Sequence, residues 1–317
     1  SDSTLEFESV DKENEVLVEG FIAGKEFSCI VIQDENGKAV ALPPTQIVKG
    51  GEVFDYRSKY LAGLSRKITP IELPTEQIQN IRKQCEELFR FFGFHVYARI
   101  DGFIQEDGTI FLNDPNTTSG MLPSSFFFHQ AAEIGLNPKQ FLTYIIRTSL
   151  QQRLQTLPRE NNCRALIHQL DKKLFEQQAS TNKKINVAVI LGGYSSERHI
   201  SVESGRNIFE KLSSSGKYNP IPVFLTGDSN SFQLFQIPVN ILLKDNADDI
   251  REKILHFKTH PLINEIRKEC GTITSKFAGG DYNFAPQFIS LNDLKQKVEQ
   301  VFIALHGRPG EDGALQA

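Results

Sequence analysis

The chain has 317 residues, of which 39% are apolar and 23% are charged, and its formal net charge is −4. This length suits two domains of ordinary size. The acidic balance excludes proteins that hold nucleic acid by neutralising phosphates, because there is no basic surplus. No apolar run could span a bilayer and no secretory signal opens the chain, so we expect no membrane partner. Four widely spaced cysteines without a CxxC pair are typical of reduced thiols in a cytoplasmic protein.

The first part of the chain predicts strands followed by helices. Residues 75–92 predict a helix, since their apolar side chains form one stripe and Gly93 follows as a C-terminal cap. Asn137-Pro138 predicts the start of another helix, with Asn137 as N-cap. Strands are expected over residues 15–22, 26–32, 94–104 and 109–116.

The domain boundaries are predicted from changes in composition. We expect a first domain over residues 1–150 and a second over 184–317, which begins with the apolar run Ile185–Leu191. Such a run is typical of a strand buried on both faces of a parallel sheet. Residues 151–183 are expected to hold a helical segment and a polar linker.

The most informative stretch is a predicted hairpin over residues 99–116. Asp107-Gly108 predicts a two-residue turn, because glycine tolerates the positive φ of a type I′ turn. That turn would pair Asp101 with Asp114 and Arg99 with Asn116, with all four on one face.

Two acidic residues directly opposite each other would have their Cβ atoms about 5 Å apart, and their carboxylates would repel unless a positive charge lay between them. A divalent cation held by Asp101, Asp114 and the amide oxygen of Asn116 would resolve this, and oxygen ligands favour Mg²⁺ over zinc. Arg99 could hold a phosphate with its two-donor fork. The alternatives are a solvated hairpin face or neutralisation by Arg99 alone, and Pro115 fits only an edge strand or a bulge.

The loop after the hairpin is rich in small hydroxyl residues and contains Gly120, so its backbone N–H groups could face an oxyanion. Ser124 or Ser125 could instead cap the helix that begins at Phe126.

In the second part, two buried strands each lead into a glycine-containing loop. The first loop, GGYSSERHIS, spans residues 192–201 and precedes a helix around residues 202–212, for which Ser201 could be the N-cap. The second, HGRPGEDG, spans residues 306–313 and follows a strand over 301–305. Ligands of open α/β sheets gather at the carboxyl ends of such strands.

The motifs VEGFIAGKEF, ALPP, FDYRSKYL, ARIDGF and NDPNTTSGMLPSS occur in that order between residues 18 and 125. Together they resemble the C-terminal part of the ATP-grasp domain of D-alanine–D-alanine ligases, over roughly residues 15–150. The two loops of the second part resemble the N-terminal substrate domain of the same ligases. The fold class implied is α/β, with an α+β ATP-grasp lobe and an open parallel-sheet, Rossmann-like domain.

The resemblance implies roles for particular residues of the first part. Magnesium ligands would be Asp101, Asp114 and Asn116. Arg99 and the backbone N–H of Gly120 would stabilise the tetrahedral intermediate, and Ser125 would receive the carboxylate of the second D-alanine. The residues that would meet the nucleotide or close over it are Glu19, Phe21, Glu26, Lys59 and Tyr60.

In the second part, the resemblance implies that Glu197 holds the amino group of the first D-alanine, while His306 and Glu311 shape its pocket. Two departures from the family pattern lie in the first part. Asp114 stands where the family usually has a glutamate, which could loosen the metal spacing. Ser119 stands where a proline usually precedes the oxyanion-hole glycine, which could soften that loop.

The order of the two parts is the reverse of that in the family, and the family's central segment, with its phosphate-covering loop and two lysines, has no match. Two hypotheses fit: a seam between two ligase-like copies in a longer chain, which we favour, or a circular permutant. Either way, we expect residues 1–317 alone to lack a complete ATP site and to be inactive.

The resemblance implies a cytoplasmic, ATP-dependent ligase that joins two D-alanines through an acyl phosphate for peptidoglycan precursors. It would use two Mg²⁺ ions, with Mn²⁺ as an alternative, and would bind small molecules and no nucleic acid. A homodimer or a second copy in the same chain would be its protein partner. The alternatives are a non-catalytic regulatory module and a ligase with another amino-acid acceptor.

Overall fold

The structure is a computed structural model, and it describes residues 15, 18–49, 65–122, 125–157, 161–179, 184–244, 246–279 and 282–315. The predicted Lys59 and Tyr60, together with Ser124, lie outside these ranges. Within them, no helix combines the length and the apolar character needed to cross a bilayer.

The first lobe, residues 15–157, is built on an antiparallel sheet. The sheet runs in the order β4-β3-β1-β5-β6, with the short β2 paired to β1, so β6 is an edge strand. The central β1 is buried along nearly all of its length. The strands are β1 Lys25–Gln33, β2 Ala39–Ala41, β3 Thr45–Lys49, β4 Ser65–Ile68, β5 Tyr97–Ile104 and β6 Ile110–Asn116.

The strand expected over residues 15–22 is wrong for the residues that the structure describes. Residues 18–23 have no regular structure, and Val18 and Phe21 are 88% and 93% exposed. The apolar pattern suggested a strand, but a strand needs a neighbour to bond its backbone groups. None of the described strands pairs with this segment.

Three helices complete the first lobe: α1 Thr75–Phe91, α2 Phe126–Glu133 and α3 Pro138–Thr156. The predicted α1 is confirmed to within a residue. Asn137 caps α3, since its side chain accepts from the backbone N–H of Gln140 while the Gln140 side chain accepts from the Asn137 N–H.

The connecting helix α4, Asn161–Ala179, is longer than predicted. The expected break after Leu150 lies inside α3, and α4 occupies much of the stretch 151–183, in which a helical segment and a polar linker were expected. The Arg147 guanidinium on α3 bonds the Asp171 carboxylate on α4 at 2.7 and 2.9 Å. The polar residues thus lie on helices that pack side by side, where the sequence suggested loops.

The second lobe, residues 184–315, has a mixed sheet in the order β10-β9-β8-β7-β11. Strands β8, β7 and β11 are parallel, whereas β9 and β10 are antiparallel to their neighbours. The expected parallel sheet is present in β8, β7 and β11, and β9 and β10 extend it with antiparallel strands, because a tight turn at residues 228–231 joins β8 to β9 and parallel strands need a longer crossover. The strands are β7 Ile185–Gly192, β8 Tyr218–Gly227, β9 Phe232–Gln236, β10 Gln287–Ile289 and β11 Gln300–Ile303.

The helices of the second lobe pack partly on its own sheet and partly on the first lobe. One hydrophobic core cluster contains residues of both lobes, among them Ile30 and Ala131 from the first and Leu242 and Ile266 from the second. The rings of Tyr144 and Phe277 meet edge to face across this junction, 5.5 Å apart. The helices are α5 Arg198–Ser214, α6 Val239–Leu242, α7 Ala247–Leu255, α8 Pro261–Glu269, α9 Gly271–Ala278 and α10 Leu291–Lys297.

Candidate active site

The hairpin of β5 and β6 forms, but its turn has three residues instead of the predicted two. The Gln105 N–H donates to the Thr109 carbonyl, and the Gly108 N–H donates to the Gln105 carbonyl. Gly108 has φ +86° and Asp107 does not share a positive φ. A type I′ turn needs both, so the chain forms a type I turn followed by a left-handed glycine.

The predicted pairing of Asp101 with Asp114 is also wrong, and the reason is a β-bulge. Asp101 pairs with Asn113, Ile100 pairs with Pro115, and the register shifts between them. Asp114 is the extra residue and takes a left-handed φ of +47°. Beyond the bulge, Arg99 pairs with Asn116 as predicted. The bulge lies at the edge strand and next to Pro115, where a missing N–H costs the sheet least.

The bulge nevertheless gathers the four predicted side chains into one group, the ribbon cluster of Arg99, Asp101, Asp114 and Asn116. The Arg99 guanidinium donates to both Asp101 carboxylate oxygens, at 3.1 and 2.9 Å. It lies 3.9 Å from the Asp114 carboxylate, which in turn accepts from the Asn116 amide at 2.9 Å. Asp101 is nearly buried and Asp114 is mostly exposed, so the cluster is anchored at one end and open to solvent at the other.

The loop after the ribbon is fixed at its start. The Ser119 N–H donates to the Tyr97 hydroxyl at 3.3 Å, and Ser119 is buried while Gly120 is exposed. Tyr97 was not singled out in the sequence, since a tyrosine in a strand is ordinarily a core residue. The backbone N–H of Ser119 therefore holds the loop against the sheet.

Ser125 occupies the N-cap position of α2, but its side chain makes no capping bond. Its hydroxyl oxygen is buried and has no hydrogen-bond partner among the described residues. The capping role considered for Ser125 is therefore wrong. A buried hydroxyl without a partner is costly to the fold, which suggests that a ligand supplies one.

The residues expected to contact the nucleotide are not gathered into a site by the structure. Glu19 and Phe21 lie in the irregular, exposed segment before β1, and Glu26 is the second residue of β1. Their expected roles, like those of Lys59 and Tyr60 outside the described residues, rest on resemblance alone.

The first loop of the second lobe leads straight into α5, which begins four residues earlier than expected. Ser201, considered as an N-cap, instead lies inside the helix, and Glu197 holds the N-cap position without making a side-chain cap bond. The buried Ser201 hydroxyl accepts from the Gly192 N–H at 2.9 Å and so ties the helix to the end of β7.

The two loops of the second lobe meet at a second group, the loop cluster of Glu197, His306 and Glu311. One oxygen or nitrogen atom from each side chain lies within 4.8 Å of the others. A Ser204 hydroxyl bonds the His306 ring at 3.0 Å, and the Ser195 hydroxyl donates to the His306 carbonyl at 2.7 Å. These two serines were missed, although Ser204 lies two turns beyond Glu197 on the helix that the motif begins.

The loop cluster is acidic and open to solvent, since Glu197 and Glu311 are exposed and His306 is half-buried. The carboxylates of Glu197 and Glu311 lie close together there, while the neighbouring arginines pair with other acids, Arg198 with Asp248 and Arg308 with Asp312. Like charges this close repel unless a cation neutralises them.

Comparison with known proteins gives a family for both lobes. Residues 5–147 match the family model described as D-ala D-ala ligase C-terminus, and residues 186–317 match that described as D-ala D-ala ligase N-terminus. A D-alanine–D-alanine ligase of Leptospira interrogans is 33% identical over 147 residues, 45% of this chain and 42% of the relative. That of Phocaeicola vulgatus is 35% identical over 136 residues, 43% of this chain and 41% of the relative.

Among solved structures, a D-alanine–D-alanine ligase from Bacillus anthracis is similar at 29% identity, with 44% of each chain covered and a TM-score of 0.36. The chain thus spans about two-fifths of the length of the curated relatives that it matches.

Proposed function

Since the chain belongs to the D-alanine–D-alanine ligase family, we propose that it serves an ATP-dependent ligase that joins two D-alanines through an acyl phosphate. The observation that carries the proposal is the ribbon cluster, where a bulge brings two carboxylates, an amide and a guanidinium to one face. The product would be the dipeptide used in peptidoglycan precursors.

The ribbon cluster fits a hard divalent cation. Asp101, Asp114 and Asn116 offer only oxygen ligands once the Asn116 amide turns its oxygen inward, and oxygen ligands suit Mg²⁺ or Mn²⁺. When bound, the metal would supply positive charge beside the ATP phosphates. Arg99 and the exposed N–H of Gly120 would then stabilise the negative oxygen that develops as the acceptor amine attacks.

The loop cluster fits the first D-alanine. Its ammonium group would lie against Glu197 and offset part of the negative charge of the two carboxylates, while the His306 ring, bonded to Ser204, and the Glu311 side chain would line the pocket. The D-alanine carboxylate is then free to take up the phosphoryl group.

Ser125 fits the acceptor. Its unpartnered hydroxyl would donate to the carboxylate of the second D-alanine, at a helix N-terminus whose free N–H groups favour an anion. The amine at the other end of that D-alanine would attack the acyl phosphate.

The test is phosphate release from ATP by the protein that carries this sequence, at its full natural length, with Mg²⁺ and D-alanine. We expect phosphate release to depend on D-alanine and to fall about 100-fold or more in Asp101→Asn. The substitution removes the charge of a residue that would ligate the metal and that also pairs with Arg99. Asp107→Asn is the matched control, because Asp107 lies on the same hairpin but is fully exposed at the turn.

Wild-type protein that releases no phosphate in response to D-alanine would refute the proposal. Full activity in Asp101→Asn would instead favour the non-catalytic module. Line broadening of the 101–116 backbone signals by Mn²⁺, absent in Asp101→Asn, would test the metal site without ATP.

A further inference from the structure

We infer that Glu133 is the positioning residue that sets how the two lobes of this chain meet, and that the lobes placed in this way work as a pair. The inference rests on the proposed function for the identity of the substrates. It goes further by stating which ATP-grasp lobe works with which substrate lobe, a question that the reversed order of the two lobes leaves open.

Glu133 lies at the centre of the junction between the lobes. It is the last residue of α2 and is 4% exposed. Its carboxylate accepts from the Lys244 ammonium at 3.0 Å and from the Asn240 amide at 3.4 Å. Its backbone carbonyl accepts from the Arg267 guanidinium at 2.8 Å. All three donors belong to the second lobe, so one buried acid of the first lobe binds the second lobe at three points.

Two helices connect this junction to the two candidate substrate pockets. Helix α2 has Ser125 at its start and Glu133 at its end. Helix α5 has Glu197 at its start, and further along it the Arg206 guanidinium donates to the Leu242 carbonyl at 2.8 Å, two residues before Lys244. A helix is a stiff element, so fixing one end of each restricts where the other end lies.

Basic side chains from both lobes lie near the first turn of α2. His129, one turn along α2 from Ser125, is buried and has Lys67, Lys244 and Arg206 as its charged neighbours. Two of those cations come from the second lobe. An acceptor carboxylate at Ser125 would therefore feel positive charge from both lobes.

A second contact joins the lobes beside Glu197. Arg66, on β4, bonds the Glu252 carboxylate at 2.8 Å and lies 3.4 Å from that of Asp249, both on α7. The preceding residue, Asp248, accepts two hydrogen bonds at 2.9 Å from Arg198, the neighbour of Glu197. The substrate loop of the second lobe is thus tied through α7 to the sheet of the first.

The connecting helix α4 is bonded to both lobes. It is bonded to the first lobe through Arg147 and Asp171, and its Gln178 amide donates to the carbonyls of Ser275 and Lys276 in the second lobe, at 3.2 and 2.9 Å. The chain between the lobes is therefore docked on both of them, which is unlike a flexible tether.

The probe for this inference is D-alanyl-D-alanine, which carries an ammonium group at one end and a carboxylate at the other. Binding is measured by calorimetry on the whole chain, with D-alanine as the smaller comparison ligand. If the lobes are a pair, Glu197→Gln and Ser125→Ala should each weaken dipeptide binding about tenfold, the loss expected for one interaction with a charged end. D-alanine at the first pocket should respond to Glu197→Gln alone.

Glu133→Gln tests the positioning role. We expect it to weaken the dipeptide about tenfold while D-alanine binding stays within about twofold, because only a ligand that bridges the lobes senses their spacing. Gln130→Leu is the matched control: Gln130 is buried on the same helix but bonds only within the first lobe, to Ile30, Ser28 and Thr45. If Glu133→Gln does not fold, Arg267→Lys tests the same contact with the charge retained.

The outcomes distinguish the pairing of the two lobes from the proposed function. Dipeptide binding that depends on Glu197 but not on Ser125 overturns the pairing and leaves the proposed function standing. A Glu133 variant that changes both ligands equally overturns the positioning role. Failure of both ligands to bind the wild-type chain overturns the proposed function and the pairing with it.

Discussion

The two lobes place their candidate site residues by different means. In the first lobe, strand backbone places them: Arg99 and Asp101 alternate along β5, and a bulge turns Asp114 toward them. In the second lobe, loops beyond the ends of two parallel strands place Glu197, His306 and Glu311. The strand-built cluster already contains its own cation, Arg99, whereas the loop-built cluster has two acids facing each other. A rigid support would suit the proposed metal site, and loops would suit the proposed pocket for a small amino acid.

The largest expected effect tests the strand-built side. A methyl group added by Gly102→Ala would lie 2.5 Å from the Phe111 carbonyl oxygen and 2.7 Å from the Phe27 ring. Backbone of the paired strand cannot yield easily, so we expect a loss of about 3 kcal/mol in the free energy of unfolding, measured by urea titration.

Gly271→Ala is the control, since an added methyl group there meets nothing within 4 Å. We expect it to change the free energy of unfolding by less than about 0.5 kcal/mol. Equal stability of the two variants would mean that β5 and β6 are not closely packed at the ribbon.

An intermediate effect tests the junction between the lobes through pH. Burial holds the pKa of His129 well below its usual range, and the nearby cations Lys67, Lys244 and Arg206 lower it further. Below about pH 6.5, the His129 ring therefore binds a proton in the unfolded chain but stays neutral in the folded chain. Stability should fall by about 1.4 kcal/mol for each pH unit below about 6.5, until the folded pKa is reached.

Urea titrations at pH 7.5, 6.5 and 5.5 measure this slope, and His129→Gln should reduce it. The arginine partners of Asp171 and Asp248 lower the pKa values of these carboxyls. The stability that the two ion pairs contribute to the fold is therefore lost only at more acidic pH. Burial raises the pKa of Glu210, which gives a slope of opposite sign, and Glu210→Gln separates that contribution. An unchanged slope in His129→Gln would contradict the prediction.

The smallest expected effect tests the loop-built side. Ser201→Ala removes the acceptor of the buried Gly192 N–H, which should cost about 1 kcal/mol of folding free energy. Ser214→Ala, which removes a hydroxyl bonded to the Glu210 carbonyl on the exposed end of the same helix, should cost less than about 0.5 kcal/mol. If the two serines cost the same in thermal melts, the loop is not anchored through Ser201.

Local patterns predicted the local structure well. The apolar stripe and Gly93 predicted α1, and Asn137-Pro138 predicted the start of α3, because each signal lies within a few residues of the feature that it specifies. The hairpin signal predicted the pairing of Arg99 with Asn116, although the type of turn was wrong.

Contacts between residues far apart in the sequence could not be predicted from local patterns. Glu133 and Lys244 are 111 residues apart, and no local sequence pattern around either residue indicates that they form an ion pair. Helices α6–α9 form in a stretch without a recognised motif, and their apolar faces could pack on either lobe. The strand expected at residues 15–22 shows the opposite error, since a strand pattern has no meaning without a neighbour.

The bulge at Asp114 has a consequence for how the hairpin can change in length. The three-residue turn displaces the ribbon by one position, and the extra residue at Asp114 restores it before Arg99 and Asn116 meet. A residue lost at the tip can therefore be offset by losing the bulge, and a residue gained there by adding a further bulged residue, without altering the outer pairs. Variation among related sequences at residues 106–108 should accordingly be accompanied by a change near residue 114 and not by a change at Arg99.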